Sequence, residues 1–101
     1  MVTIRFMAFC GRQAMHVAVE LFGIARARAG VARTTARGRC LGDVLAELAA
    51  RYPALAESCI DGRKLRPHCT ANVGGQRFVS EPETPLCEGD TVLLLSADAG
   101  G

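Results

Sequence analysis

Tryptophan is absent from this 101-residue chain, and aromatic residues make up only 5% of it. That scarcity removes the stacking platforms on which sequence-tolerant nucleic-acid binding rests. Arg26, Arg28, Arg33, Arg37 and Arg39 stand without interleaved aromatics and in no recognised binding motif, so no nucleic acid is expected as a partner. Long hydrophobic runs are also missing: nothing approaches the roughly 20 apolar residues of a membrane span. Residues 2–10 have too short an apolar part for a secretory leader, so no membrane partner is expected either. Paired cysteines are lacking too. Cys10, Cys40, Cys59, Cys69 and Cys87 are odd in number, widely spaced and without a C-x-x-C pair, which argues against a disulfide framework and a zinc site. Reduced thiols serving as small buried hydrophobes fit better, and with them a cytoplasmic location.

What remains is half apolar and of modest net charge, +2. That composition supports one domain with one core, too small for a large internal active-site cavity. The charge is uneven. Residues 1–40 carry seven arginines against Glu20, whereas residues 41–101 carry five basic and nine acidic side chains. His16 and His68 are distant in sequence and read as surface histidines, so no general acid, base or metal site is expected.

Residues 17–22 alternate Val17, Val19 and Leu21 on one face, as a half-buried strand does. Residues 23–30 read as an arginine-rich connection and residues 31–36 as the returning strand. Leu41, Val44, Leu45, Leu48, Ala49 and Tyr52 then recur at the spacing of an amphipathic helix, with Asp43, Glu47 and Arg51 on its wet side and Pro53 forcing an end. Residues 70–73 and 76–79 flank Gly74-Gly75, which supplies the positive φ of a tight hairpin. Residues 83–90 are turn-rich, and residues 91–96 close the fold as a central strand apolar on both faces. One helical stripe needs a sheet to cover, so the expected fold is α+β, a mixed sheet with its helix on one face. The other sheet face is then left partly bare. Phe22 points to it, together with a leucine pair of the last strand, Leu93 and Leu95, and contiguous exposed apolar area of this kind is where a partner docks.

Residues 1–15 duplicate the first strand's alternation through Val2, Ile4 and Phe6, and are expected to be an extension: either a mis-assigned start upstream of Met15 or a loose arm. The domain proper is expected over residues 16–96, and residues 97–101 as a flexible tail, Ala97-Asp98-Ala99-Gly100-Gly101. Two terminal glycines without Cβ atoms can lie extended in a channel too narrow for side chains, presenting a carboxylate to a second protein.

The segments Val19-Glu20-Leu21-Phe22-Gly23-Ile24-Ala25-Arg26, Leu41-Gly42-Asp43-Val44-Leu45 through Tyr52-Pro53, Asn72-Val73-Gly74-Gly75, Pro85-Leu86 with Glu88-Gly89-Asp90, and terminal Gly100-Gly101 together resemble the MoaD/ThiS family of sulfur-carrier proteins. The likeness spans residues 17–101. It implies a ubiquitin-like β-grasp fold, a mixed sheet of about five strands with one main helix on one face and an extended Gly-Gly tail. It also implies that Gly101 is adenylated and converted to a thiocarboxylate, that Gly100 gives clearance, and that Ala97, Asp98 and Ala99 thread the partner's channel. The implied partners are a ubiquitin-activating-type adenylyltransferase, which uses ATP, and the large catalytic subunit of molybdopterin synthase or another sulfur acceptor. No cofactor would be bound by the chain itself, which would be a carrier and not an enzyme. Phe22 and Arg26 match family positions on the partner-facing surface. The connection around residues 58–67, with Arg63-Lys64-Leu65-Arg66, is longer and more basic than minimal thiamine-type carriers need, and the tail lacks the proline common in the molybdopterin branch. Carriers for thiamine, cysteine or tRNA thiolation, a ubiquitin-like protein modifier, and a plain β-grasp interaction domain therefore stand as alternatives.

Overall fold

The computed structural model describes residues 15–96, and the structural statements that follow concern those residues. The expectations for residues 1–14 and for the tail 97–101 lie outside them. The chain runs β1 (Met15–Leu21), α1 (Gly23–Ala29), β2 (Arg33–Gly38), α2 (Leu41–Arg51), α3 (Pro53–Ser58), β3 (Ile60–Asp61), β4 (Lys64–Leu65), β5 (Cys69–Val73), β6 (Arg77–Val79) and β7 (Thr91–Ser96). Five strands form one mixed sheet in the order β2-β1-β7-β5-β6. β7 runs parallel to β1 and antiparallel to β5, which makes it the central strand, as its two apolar faces require. β3 and β4 form a separate small hairpin.

Strand alternation sorts the side chains. Met15, Val17, Val19 and Leu21 of β1, Val92 and Leu94 of β7, and Cys69, Ala71 and Val73 of β5 are buried. From the other side Leu41, Val44, Leu45 and Leu48 of α2 close the core, joined by Leu55, Ile60 and Leu86. This is the β-grasp plan of one main helix across a mixed sheet, with two short helices beside it.

Three local readings change. Residues 23–30 are not an open connection: seven of them form α1, which buries Ala25 and packs on α3 and β7. Its sequence, Gly-Ile-Ala-Arg-Ala-Arg-Ala, offers good helix formers but no repeating apolar stripe, so tertiary contact and not periodicity holds it. The returning strand lies two residues later than expected, since Ala36 and Gly38 fill its buried positions and Val31 and Ala32 belong to the turn. Pro53 ends α2 and also begins α3 from the first turn, where its missing N–H is no loss. Gly74 and Gly75 do adopt positive φ, 67° and 73°, at the β5–β6 turn.

Candidate functional site: the open face of the sheet

The residues that strand alternation turns away from the helices line up by register. Arg33 of β2 pairs with Glu20 of β1, Glu20 with Leu93 of β7, Leu93 with Asn72 of β5, and Asn72 with Phe78 of β6. One row thus crosses all five strands. A neighbouring row brings Leu95 opposite Thr70. The amide of Phe22 donates to the Leu94 carbonyl at 3.0 Å, one step beyond the Leu21–Leu94 pair, which sets Phe22 beside Leu95. Phe22 is extended, 39% exposed and turned from the core, as the alternation of residues 17–22 demanded.

Phe22, Leu93 and Leu95 are therefore brought to one face. Arg26 is not. It is exposed on α1, which belongs to the helical layer, and its carbonyl accepts the Gly30 amide at 2.9 Å. Two further members of the face were not singled out from sequence. Phe78, 72% exposed, stands at the sheet's far edge. Asn72 is 7% exposed, the one buried polar side chain among the described residues, and its Oδ1 has no hydrogen-bond partner. The signal for Phe78 was its position in a short strand three residues past Gly75, where an aromatic on an edge strand has one wet side. Toward β2 the face carries a shallow depression of about 310 Å³ lined by Ala18, Glu20, Arg33 and Thr35 among others.

A second region, at the start of α2, is polar and tied. Asp43 in the first turn of α2 accepts the Arg39 amide at 3.0 Å and the Arg63 guanidinium at 2.8 Å. The Arg63 hydrogen bond, and then the Arg39 amide, hold the Asp43 carboxyl below its ordinary pKa. Arg63 also reaches Glu83 at 3.6 Å and the Cys40 sulfur at 3.6 Å. These groups line a depression of about 380 Å³ in which one guanidinium satisfies two carboxylates, an arrangement that joins loops to the start of α2. At the other end of α2, Glu47 and Arg51 pair with each other. Glu47 Oε1 accepts the Arg37 amide at 2.6 Å, and Arg51 donates to Thr35 O at 2.7 Å. Side chains expected on a wet surface thus occupy the outer edge of β2 and leave it a poor template for another strand.

Cys59 and Cys69 are buried as expected, whereas Cys40 is half-buried and Cys87 exposed. Cys87 departs from the buried-hydrophobe reading because it lies in the turn-rich segment beside Asp90, whose carboxylate accepts the Cys87 amide at 2.9 Å. His16 is exposed and His68 half-buried. Among the described residues no group of three or more His, Cys, Asp or Glu could hold a metal, and no helix is long and apolar enough to cross a membrane.

The sequence model of the ThiS family matches residues 19–101. No curated protein sequence matches the chain significantly. Among solved structures, small archaeal modifier protein 1 of Methanosarcina acetivorans is 26% identical, with 87% of this chain and 98% of that one covered and a TM-score of 0.71. Mycobacterium tuberculosis CysO is 28% identical over 80% of this chain and 98% of its own, with a TM-score of 0.67. A Pyrococcus furiosus protein provisionally assigned as molybdopterin converting factor, subunit 1, is 24% identical, covers 81% and 97% of the two chains, and shares the fold with a TM-score of 0.66. With a match that runs from the first strand through Gly101, on a β-grasp sheet open on one face, the chain belongs to the ThiS family, whose members are small carrier and modifier proteins and not themselves catalysts.

Proposed function

We propose that the protein is a sulfur carrier of the cytoplasm whose working group is the Gly101 carboxylate. The observation that carries this reading is the family match through Gly101, five residues beyond the central strand β7. A carboxylate is a poor electrophile, and ATP cures that. A Gly101 oxygen attacks the α-phosphorus of ATP on a ubiquitin-activating-type adenylyltransferase, pyrophosphate leaves, and an acyl adenylate results. A sulfide equivalent then attacks the Gly101 carbonyl carbon, the C–O bond to AMP breaks, and AMP departs with its electron pair. The product is a thiocarboxylate, and the chain supplies no acid or base to these steps. Phe22, Leu93 and Leu95 form the docking face, Arg26 meets the partner separately from the exposed side of α1, and Ala97, Asp98, Ala99 and Gly100 lead into the partner's channel.

The acceptor we assign is the large catalytic subunit of molybdopterin synthase, with this chain as its small subunit in molybdenum cofactor biosynthesis. The resemblance carried by residues 19–26, 41–53 and 85–90 supports that assignment. A second reading, a ubiquitin-like protein modifier, is favoured by the 26% identity to the archaeal modifier, and carriers serving thiamine, cysteine or tRNA thiolation are the remaining alternatives within the same family resemblance.

Incubation with ATP, the activating enzyme and sulfide is expected to raise the intact mass by one oxygen-to-sulfur exchange at Gly101. Deleting Gly101 abolishes it while leaving the melting temperature unchanged. No mass change in the intact protein overturns the carrier reading. Rescue of a molybdenum-cofactor auxotroph separates the first acceptor from the others, and Gly-Gly remnants on lysines of cellular proteins would mark the modifier.

A further inference from the structure

Two arginines of the open face have no ionic partner among the described residues. Strand β2 turns Arg33, Thr35 and Arg37 away from the helices, because Ala36 and Gly38 take its buried positions. All three are exposed, and at the rise of a strand the two arginines stand about 13 Å apart. The salt bridges join Arg51 to Glu47 and Arg63 to Asp43 and Glu83, and none includes Arg33 or Arg37. Acidic groups beside β1 are engaged elsewhere: Glu88 accepts the His16 amide at 3.4 Å and Asp90 the Cys87 amide at 2.9 Å. Glu20 lies opposite Arg33 in register without forming an ion pair with it. Between the rows that hold the two arginines stand only Ala18 and its partner Thr35, and there the surface sinks into the depression of about 310 Å³ rimmed by Arg33.

We propose that Arg33 and Arg37 form a basic clamp for an acidic strip of the adenylyltransferase, whose carboxylates enter the depression over Ala18 and Thr35 while its apolar side chains cover Phe22 and Leu93. This rests on the carrier reading, and it names the chemistry that the activating partner must present. A guanidinium forks onto a carboxylate through two N–H donors, and the small residues between the arginines leave room for that approach. Glu20 sits between Arg33 and Leu93 in the cross-strand row and repels an acid placed toward β7. The acidic strip is thereby confined to β2, so the two surfaces meet in one register, which apolar contact alone does not fix. A protein suits this surface better than a nucleic acid. The row continues through Glu20 into Leu93, which a sugar–phosphate backbone would leave in water, and no aromatic lies between the arginines for a base to stack on.

The test is carrier-dependent ATP–pyrophosphate exchange by the adenylyltransferase encoded in the same genome, measured from low salt to about 1 M, where the screening length is about 3 Å. The double variant Arg33→Glu/Arg37→Glu is expected to raise KM for the carrier about tenfold at low salt with kcat unchanged, and Arg33→Gln/Arg37→Gln about threefold. Both differences should shrink toward wild type at about 1 M salt. Lys64→Glu places a charge reversal on the separate β3–β4 hairpin and is expected to hold KM within about twofold. Both arginines are exposed, so each variant should melt near the wild-type temperature, and the glutamine pair carries the test if the glutamate pair does not fold. A wild-type KM in the double variants overturns the proposal. So does a comparable rise in Lys64→Glu, which would assign the effect to net charge, or a rise indifferent to salt. Binding of a single-stranded RNA oligomer that the double variants abolish, with KM unchanged, would give the clamp to nucleic acid instead. Absence of exchange with the wild-type protein refutes the carrier reading and this inference together, an outcome distinct from the others.

Discussion

The two faces of one sheet are built from the same strands by the same alternation, yet they differ in almost every physical respect. Toward the helices, Val17, Val19, Leu21, Val92 and Leu94 are sealed against Leu41, Val44, Leu45 and Leu48. Toward solvent, Glu20, Leu93, Asn72, Phe78 and Phe22 form a surface that is partly apolar, partly charged and unsatisfied at its centre. The difference teaches that burial in this fold is decided by which side the single long helix takes.

That division can be broken by measurement. Leu45→Ala, on the sealed side, removes a fully buried side chain and is expected to cost about 2–5 kcal/mol, a large part of a small domain's stability, by denaturant unfolding. Gly38→Ala follows. A Cβ there would lie 2.6 Å from the Asp43 Cβ and 3.0 Å from the Val44 amide nitrogen, so the β2–α2 junction must shift, at about 1–3 kcal/mol in the same assay. Phe78→Ala, on the open side, is expected to change stability by less than about 0.5 kcal/mol while raising KM for the activating enzyme several-fold. If Phe78→Ala unfolds the protein, or Leu45→Ala does not weaken it, the contrast between the faces fails. The smallest effect belongs to Asp43→Asn, at the edge of the sealed side. The folded-state pKa of Asp43 lies below its unfolded value, so its contribution is present above the unfolded value and lost as pH falls through the folded one. The variant should therefore lose stability near neutrality and show a flatter decline below about pH 4 in an acid titration of melting temperature.

Sequence patterns carried the sheet and α2 because their periods are strong. Val17, Val19 and Leu21 alternate cleanly, and Leu41 to Tyr52 hold one stripe over three turns. They could not carry α1, where only Ala25 is fully buried and Ile24 and Ala29 pack half-buried against the core without a repeating stripe, or α3, hidden behind the stop signal of Pro53. The β3–β4 hairpin has two residues per strand, too few for any period to register. On the open face, Phe22, Leu93 and Leu95 were legible as the off-phase positions of apolar strands. Phe78 lies in the hairpin arm that was read at residues 76–79, but three residues show no alternation that tells which side of the sheet it takes, and Asn72 is inconspicuous until pairing puts it between two hydrocarbons. The Arg63–Asp43–Glu83 cluster joins positions twenty and more apart, a contact that no local spacing announces.

The placement of β7 has a mechanical consequence. It is stitched along four residue pairs to β1 on one side and five to β5 on the other. A force applied along the axis of β7 loads those cross-strand bonds together in shear and does not peel them open one after another, so the middle of the sheet resists extension as one unit.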